Sequence, residues 1–449
     1  MPLPRLLLAL SVALAACAAE PAPDLPDAPE RAVMQPPDFP RLGAALPAGH
    51  TAYENASLAR LFVVLAHETE WGAARPHLVR YEAPVSVALE GEGAGAYAPF
   101  LDGFLEELRA ETGIRIARGA PANLLVRFVE GRRFDSVLRT AYCVTAQGDA
   151  SWQGFAADPT GRSARALAGA RSIEAMTVFI PDDAPPYLVR NCLLEEIPQA
   201  LGLANDLYGL GNSSFNDDGA HLWPTKLDHL MLRVLYAPEL ATGLDRRTTQ
   251  TQAGAVLDRV NPEGIGAPPL PLLNRRALGA WPDLMTAVFS RGVSESQTRE
   301  LAAKALTVVE AHAPGSAQHC HTLVTAGRIL SRREPERALR LFDRAGTVCD
   351  AAHGESDIRH ARIALERACA LARLGRTAEV LAIAEATWPV LAAHGQDERL
   401  AALYTIQADV LAETGPGGPQ AASLARLTAE WNAYALGPGR RAADCRPDA

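Results

Sequence analysis

The chain has 449 residues, of which 48% are hydrophobic and 21% are charged, and this composition predicts a globular protein of two or three domains. Its 52 acidic residues outnumber its 43 lysines and arginines, which gives a formal net charge of −9. Because nucleic acid and anionic lipid headgroups attract basic surfaces, this balance argues against both as main partners.

Residues 1–16 are predicted to be an export signal, because Arg5 precedes a largely apolar run that is too short to span a bilayer as a helix. The sequence Leu-Ala-Ala-Cys at 14–17 resembles the lipobox of bacterial lipoproteins. That resemblance implies cleavage before Cys17, a lipid on its thiol and, because Ala18 is not Asp, an outer-membrane location facing the periplasm. The alternative is an ordinary secretory signal with an incidental cysteine.

Residues 17–50 are rich in proline and lack apolar runs, so we expect an extended, semi-rigid tether. The first domain, predicted at 51–250, alternates helical and strand patterns, which indicates an α/β layer arrangement. Helices are predicted at 56–67 and 97–112, strands at 85–89, 114–116, 124–129 and 176–180, and solvated loops around 132–135 and 158–165.

The stretch 192–217, CLLEEIPQALGLANDLYGLGNSSFND, contains most of the residues that could take part in catalysis or bind a metal ion. Two adjacent carboxylates, Glu195 and Glu196, are followed one helical turn later by Gln199. Gly202 is positioned to end the helix, and a polar pair follows it at Asn205 and Asp206. Pro198 either kinks this helix or lies in the first turn of a helix that begins near Glu195.

In this register the stretch resembles the active site of the metzincin zinc peptidases, HExxHxxGxxH, with every histidine replaced. The resemblance implies the general-base position at Glu196 and the turning glycine at Gly202. It implies the three metal-ligand positions at Glu195, Gln199 and Asn205. Histidine is the usual ligand at such positions, so zinc catalysis in its usual form is not expected here.

The resemblance continues beyond the helix. Ser214 and Phe215 stand where the family has its floor turn, with Phe215 at the methionine position, and 226–236 resembles the closing helix. The region 56–243 is also similar to an uncharacterised family of bacterial secreted proteins, domain of unknown function 2927, with the pattern EExxQxLGLxND followed by SxFND. This implies a metzincin-like fold, without a known activity, in which the strand 176–180 lines a cleft and offers its edge to a peptide.

The replaced ligands leave several interpretations of this site open. Because amide and carboxylate oxygens suit Ca²⁺ or Mg²⁺, one alternative is a cation site that combines Glu195, Gln199, Asn205, Asp206 and Asp217. A second alternative is a metal-free acid–base pair of Glu195 and Glu196. We favour a third, in which a retired enzyme site keeps its polar residues to hold the cleft together, with no metal and no cofactor.

Six cysteines follow Cys17, and an even number in an exported chain indicates disulfides. We predict the pair Cys143 and Cys192, which would tie a strand to the start of the motif stretch. The remaining pairing is left open among Cys320, Cys349, Cys369 and Cys445.

A linker is predicted at 251–275, and an all-α region at 276–437 precedes a tail at 438–449. Small residues recur in segments that begin at Ala326, Ala368 and Ala408, 42 and 40 residues apart, with a poorer copy near Ala287. These helical hairpins resemble tetratricopeptide repeats of increased length, a family that binds peptides or partner proteins. The alternative is a helical bundle that packs on the first domain.

Together these features predict an α+β chain: a metzincin-like α/β domain followed by a tetratricopeptide-like all-α region. The expected function is that of a lipid-anchored, extracytoplasmic binding or scaffold protein with a protein or peptide partner and no nucleic acid. The alternative function is a peptidase-like hydrolase with Glu196 as its base.

Overall fold

The computed structural model describes residues 53–69, 74–138, 141–159, 171–207, 210–216, 218–270, 277–290, 292–355, 357–414, 419–442 and 445. The predicted signal at 1–16, the lipidation residue Cys17 and the tether at 17–50 lie outside these ranges. So do Asp217 of the motif stretch and most of the loop predicted at 158–165.

The amino-terminal domain is built on one five-stranded sheet with the strand order β2-β1-β3-β5-β4. Its strands are β1 (Val85–Glu90), β2 (Ile116–Arg118), β3 (Leu124–Val129), β4 (Val144–Gln147) and β5 (Met176–Pro181). Four strands are parallel, and β4 alone runs antiparallel, paired with β5. Helices cover the sheet: α1 (Asn55–His67), α2 (Ala98–Thr112), the short α3 (Gly131–Val137) and α4 (Trp152–Ala156), α5 (Pro186–Ala200), α6 (Lys226–Leu235) and α7 (Arg246–Val260).

The position of β5 corrects one expectation. Its residues are buried along its whole length, and it pairs with β3 on one side and with β4 on the other. The strand at 176–180 therefore cannot offer a free edge to a peptide, whereas β4 lies at the end of the sheet. The sequence missed this because the short, mixed sequence VTAQ of β4 carries no strong strand pattern.

Two further local predictions differ from the structure. The first strand after α2 begins at Ile116 and not at residue 114. The segment 132–135 belongs to helix α3 and is not a solvated loop, because Phe134 is fully buried and stacks on Trp152 with ring centroids 5.4 Å apart. A single aromatic anchor is enough to order so short a helix against the sheet.

Helix α7 crosses the boundary predicted at residue 250, so that 251–260 is helix and not linker. Ala253, Val256 and Leu257 bury one side of α7 in the core of the amino-terminal domain. Thr249 Oγ1 also lies 3.1 Å from Nε2 of His67, the last residue of α1. The helix is therefore part of the first domain, and the prolines that suggested a linker begin only after it.

The described residues from 277 onward are mostly helical, as predicted, and their helices pack as successive hairpins. They are α8 (Trp281–Phe289), α9 (Glu295–His312), α10 (Ala317–Ser331), α11 (Pro335–His353), α12 (Arg359–Arg373), α13 (Thr377–Ala393), α14 (Asp397–Thr414) and α15 (Pro419–Leu436). The second helices of the last three hairpins begin at residues 335, 377 and 419, which are 42 residues apart. Gly327 allows α10 and α11 to approach closely, because a Cβ there would lie 2.4 Å from the ring of Phe342.

Three disulfides join the six described cysteines. The predicted pair Cys143–Cys192 is confirmed, with its Cα atoms 5.9 Å apart. Of the pairs that the sequence left open, Cys320–Cys349 links α10 to α11, and Cys369–Cys445 links α12 to the segment after α15. No helix within the described ranges has the length and apolarity needed to cross a bilayer.

Candidate functional site

The motif helix is α5, which begins at Pro186 and continues through Pro198 to Ala200. Proline is favoured at a helix start because the N–H groups of the first turn have no partner within the helix, so the absence of this group costs nothing there. Glu195 therefore lies in the third turn, and the alternative in which the helix begins near it is wrong. With the helix regular up to this point, Glu195 and Gln199 lie one turn apart on it.

Gly202 turns the chain directly after the helix. Its φ of +131° is a conformation that side-chain-bearing residues rarely adopt, and a Cβ would lie 2.7 Å from the carbonyl oxygen of Val79. The carbonyl of Gly202 accepts a hydrogen bond of 2.9 Å from Nη1 of Arg75. Arg75 is itself buried, and burial lowers the pKa of its guanidinium to about 10. The turn is thus held by a charged donor that no motif in the sequence indicated.

The two adjacent glutamates face different surroundings. Glu195 is exposed, whereas Glu196 keeps only 6% of its surface accessible. The Glu196 Oε2 atom accepts a hydrogen bond of 2.6 Å from the hydroxyl of Thr145 on β4. Because neighbouring residues of a helix point about 100° apart, the structure separates the two carboxylates and turns Glu196 towards the edge strand.

Two other residues predicted for the site, Gln199 and Asn205, are hydrogen-bonded within the protein. Gln199 donates from Nε2 to Asp206 Oδ2 at 2.7 Å, so the structure brings these two candidate residues together. Asn205 donates from Nδ2 to the carbonyl of Val64 on α1 at 3.1 Å. The bond of Gln199 lies within the motif stretch, and the bond of Asn205 connects that stretch to α1. Within the described ranges no three His, Cys, Asp or Glu side chains form a group that could hold a metal ion.

The loop at 210–216 contains the predicted floor turn and is called the floor loop below. It is organised by one buried carboxylate, that of Asp228 at the start of α6. This carboxylate accepts hydrogen bonds from the hydroxyl of Ser213, from the backbone N–H and hydroxyl of Ser214 at 2.8 and 2.9 Å, and from the N–H of Thr225 at 2.7 Å. Burial raises the pKa of Asp228, and these donors oppose that shift. Phe215 is 2% exposed and packs into the core below the loop.

A covalent link holds the edge strand over the motif helix. Cys143 precedes β4 and is bonded to Cys192 in the second turn of α5. The hydrogen bond from Thr145 to Glu196 lies one turn further along the same helix. Strand and helix are thus joined twice, which fixes the position of the edge beside the candidate residues.

The opposite end of the motif helix contacts the helical region. Arg190 is 3% exposed and donates from Nη1 to Asp397 Oδ2 at 2.6 Å and from Nη2 to the carbonyl of Gly395 at 2.9 Å. Its guanidinium also lies 5.0 and 5.2 Å from the ring centroids of Tyr187 and Trp223. Sequence reasoning missed this anchor, since its partners are distant in the chain.

Comparison with curated proteins and with solved structures finds no match to this chain. A family match covers the α/β domain, including the motif helix, the glycine turn and the floor loop. Residues 55–257 match the family described as protein of unknown function (DUF2927), the family that the motif resembles.

Proposed function

We propose that this chain is a lipid-anchored, extracytoplasmic binding or scaffold protein. Its first domain would be a metzincin-like pseudoenzyme, and its hairpins would form a tetratricopeptide-like array that contacts a protein partner. The observation that carries this proposal is the hydrogen bonding of the former catalytic positions, in which Glu196, Gln199 and Asn205 all bind other groups of the protein.

The chemistry of these contacts favours binding over hydrolysis. A general base must reach a water beside the scissile bond, but Glu196 is only 6% exposed and its Oε2 atom accepts the Thr145 hydroxyl. The amide groups of Gln199 and Asn205 both donate their N–H to protein oxygens. Each contact stabilises the cleft, as a retired site requires, and none of them prepares a water or a metal for attack.

The edge of β4 supports a peptide as the ligand class. Among the described residues no strand pairs with its outer side, and the backbone N–H and C=O groups of an edge strand can pair with an extended segment. The Cys143–Cys192 bond keeps this edge in place and thereby lowers the entropy lost on binding. A peptide added here would lie next to Thr145, the β4 residue that is hydrogen-bonded to Glu196.

The three disulfides support the proposed location. Such bonds persist in oxidising compartments, which include the bacterial periplasm. The lipobox-like residues before Cys17 supply the anchor in this proposal, and the proline-rich tether would hold the folded part away from the lipid surface.

Hydrogen exchange tests the peptide site. The chain from Ala18 onward is used to select extended peptides from a displayed library, and a selected peptide is added to the same chain. We expect slower exchange for the amides of β4 and unchanged exchange for β2, which is the opposite edge of the same sheet. Equal protection of both edges, or of neither, would overturn the assignment of the ligand to β4.

The hydrolase alternative is separated by a matched pair of variants. Glu196→Gln removes the charge at the base position, and Glu195→Gln removes the neighbouring exposed charge. We expect no cleavage of a quenched fluorescent peptide mixture by the unchanged chain or by either variant, with or without EDTA, Zn²⁺ or Ca²⁺. Cleavage that is lost only in Glu196→Gln, at an unchanged melting temperature, would establish the hydrolase instead.

A further inference from the structure

A short turn of the first domain, residues 218–220, is enclosed by the helical region. The carboxylate of Asp218 lies 2.6 Å from Arg359 Nη2 and accepts a hydrogen bond of 2.8 Å from Nε of the same arginine. Both side chains are only 5% exposed. Ala220 is buried within the apolar cluster of the helical region and not in the core of its own domain. The turn is therefore packed as a constituent of the second region.

The helical region also recognises the backbone of this turn. The carbonyl groups of residues 218, 219 and 220 accept hydrogen bonds from Arg362 at 2.8 Å, Arg399 at 3.1 Å and Gln396 at 2.8 Å. Three successive carbonyls are thus bound by three side chains, in addition to the carboxylate. Contacts to consecutive main-chain groups together with one charged side chain are what a protein uses to bind a peptide segment.

The donors come from equivalent places in two successive hairpins. Arg359 and Arg362 lie in the first turn of α12, while Gln396 and Arg399 lie at the start of α14. Both are first helices of their hairpins, so the binding face is formed where two neighbouring repeats meet. Burial alone would raise the pKa of Asp218, but the charge of Arg359 holds it well below its usual range.

Arg359 holds the floor loop of the candidate site at both ends. Its Nη1 atom donates to the carbonyl of Gly211 at 3.0 Å, and its Nε donates to Asp218. Between these two points lie Ser213, Ser214 and Phe215, the residues at the floor-turn position. One guanidinium of the helical region thus contacts the chain on both sides of this loop.

We propose that α12 and α14, the first helices of two successive hairpins, form a recognition face for an acidic turn. The turn at 218–220 of the same chain occupies this face. Its contact with the face locks the floor loop of the candidate site. The face is therefore closed to external partners unless the turn leaves it. This inference stands on the contacts of the turn and holds whether or not the β4 edge binds a peptide.

A matched pair of variants tests the lock, because Arg359 has two buried carboxylate partners. Asp218 belongs to the turn, whereas Asp357 belongs to the helical region and lies 2.9 Å from Arg359 Nη1. Asp218→Asn and Asp357→Asn each remove one charge, and the other carboxylate still pairs with the arginine. In the full chain we expect amide exchange in 210–216 to accelerate roughly tenfold or more in Asp218→Asn and to remain unchanged in Asp357→Asn.

Equal exchange in the two variants would overturn the lock. If Asp218→Asn does not fold, Arg399→Met removes the hydrogen bond to the carbonyl of Gly219 together with one positive charge, and it replaces a half-buried side chain. The same acceleration in 210–216 is expected there, to a smaller extent. Unchanged exchange in this variant would count against the proposal as well.

Recognition of an acidic turn is tested in trans. A synthetic peptide with the sequence of 213–223 is titrated in excess into the Asp218→Asn chain, in which the chain's own turn has lost its charged contact with Arg359. We expect saturable binding, and we expect weaker binding when the peptide carries Asn at the position of Asp218. Equal affinity for the two peptides, or no binding by either, would refute the recognition of the carboxylate.

Discussion

Replacement of Gly202 by alanine tests whether the turn after the motif helix is fixed by sterics. The added Cβ would lie 2.7 Å from Val79 O and 3.2 Å from Leu235 Cδ2. Moving the Val79 backbone or repacking Leu235 costs about 1–3 kcal/mol. The backbone at φ +131° adds strain of about 1–3 kcal/mol for a residue with a side chain. We therefore expect the first domain to lose about 2–6 kcal/mol of stability.

Gly113 provides the control for this experiment. It also has a positive φ, +77°, but a Cβ there would meet nothing within 4 Å. Gly113→Ala should lower the stability only by the strain of the left-handed backbone conformation, which is about 1–2 kcal/mol. Urea unfolding is monitored by amide exchange in the buried strand β5, which reports the stability of the first domain separately from that of the hairpins. If Gly202→Ala is no more destabilising than Gly113→Ala, the close approach to Val79 is not what requires glycine.

Two further changes have defined outcomes. Replacing Cys143 and Cys192 together by serine opens a loop of 49 residues and should cost about 4 kcal/mol, seen as a lower melting temperature of the first domain; an unchanged melting temperature would contradict this. His229 is buried, neither ring nitrogen has a hydrogen-bond partner within the described ranges, and burial lowers its pKa to about 4. Its neutral ring thus contributes stability above pH 6.5 that is lost as the pH falls towards 4. His229→Leu should flatten the decline of the melting temperature over this range, and a decline as steep as in the unchanged chain would refute the assignment.

The parts of the site that the sequence predicts are those specified by local spacing. The motif helix and the glycine that follows it depend on residue types at short, regular intervals. A helix needs only i, i+4 neighbours, and a glycine turn needs only its own backbone freedom. The structure therefore has α5 and the turn at Gly202 where the motif pattern indicates them.

The parts that the sequence does not predict depend on contacts between distant residues. Asp218 and Arg359 are 141 positions apart, and Arg190 and Asp397 are 207 positions apart. The run that contains Asp218 indicates a turn, and nothing in it specifies an arginine far along the chain. The order of β4 and β5 in the sheet is a similar case, since strand patterns give the existence of strands and not their neighbours.

The disulfide arrangement bears on how the chain matures. Each of the six described cysteines is bonded to its neighbour among them along the sequence. The segment between two bonded cysteines therefore contains no cysteine of another disulfide. If Cys17 carries a lipid, as proposed above, Cys143 is the first cysteine with a free thiol to emerge, and its bond to Cys192 can close before Cys320 is available. The same order holds for the later pairs. Oxidation that keeps pace with emergence therefore yields the native set directly, without thiol exchange and without help from a disulfide isomerase.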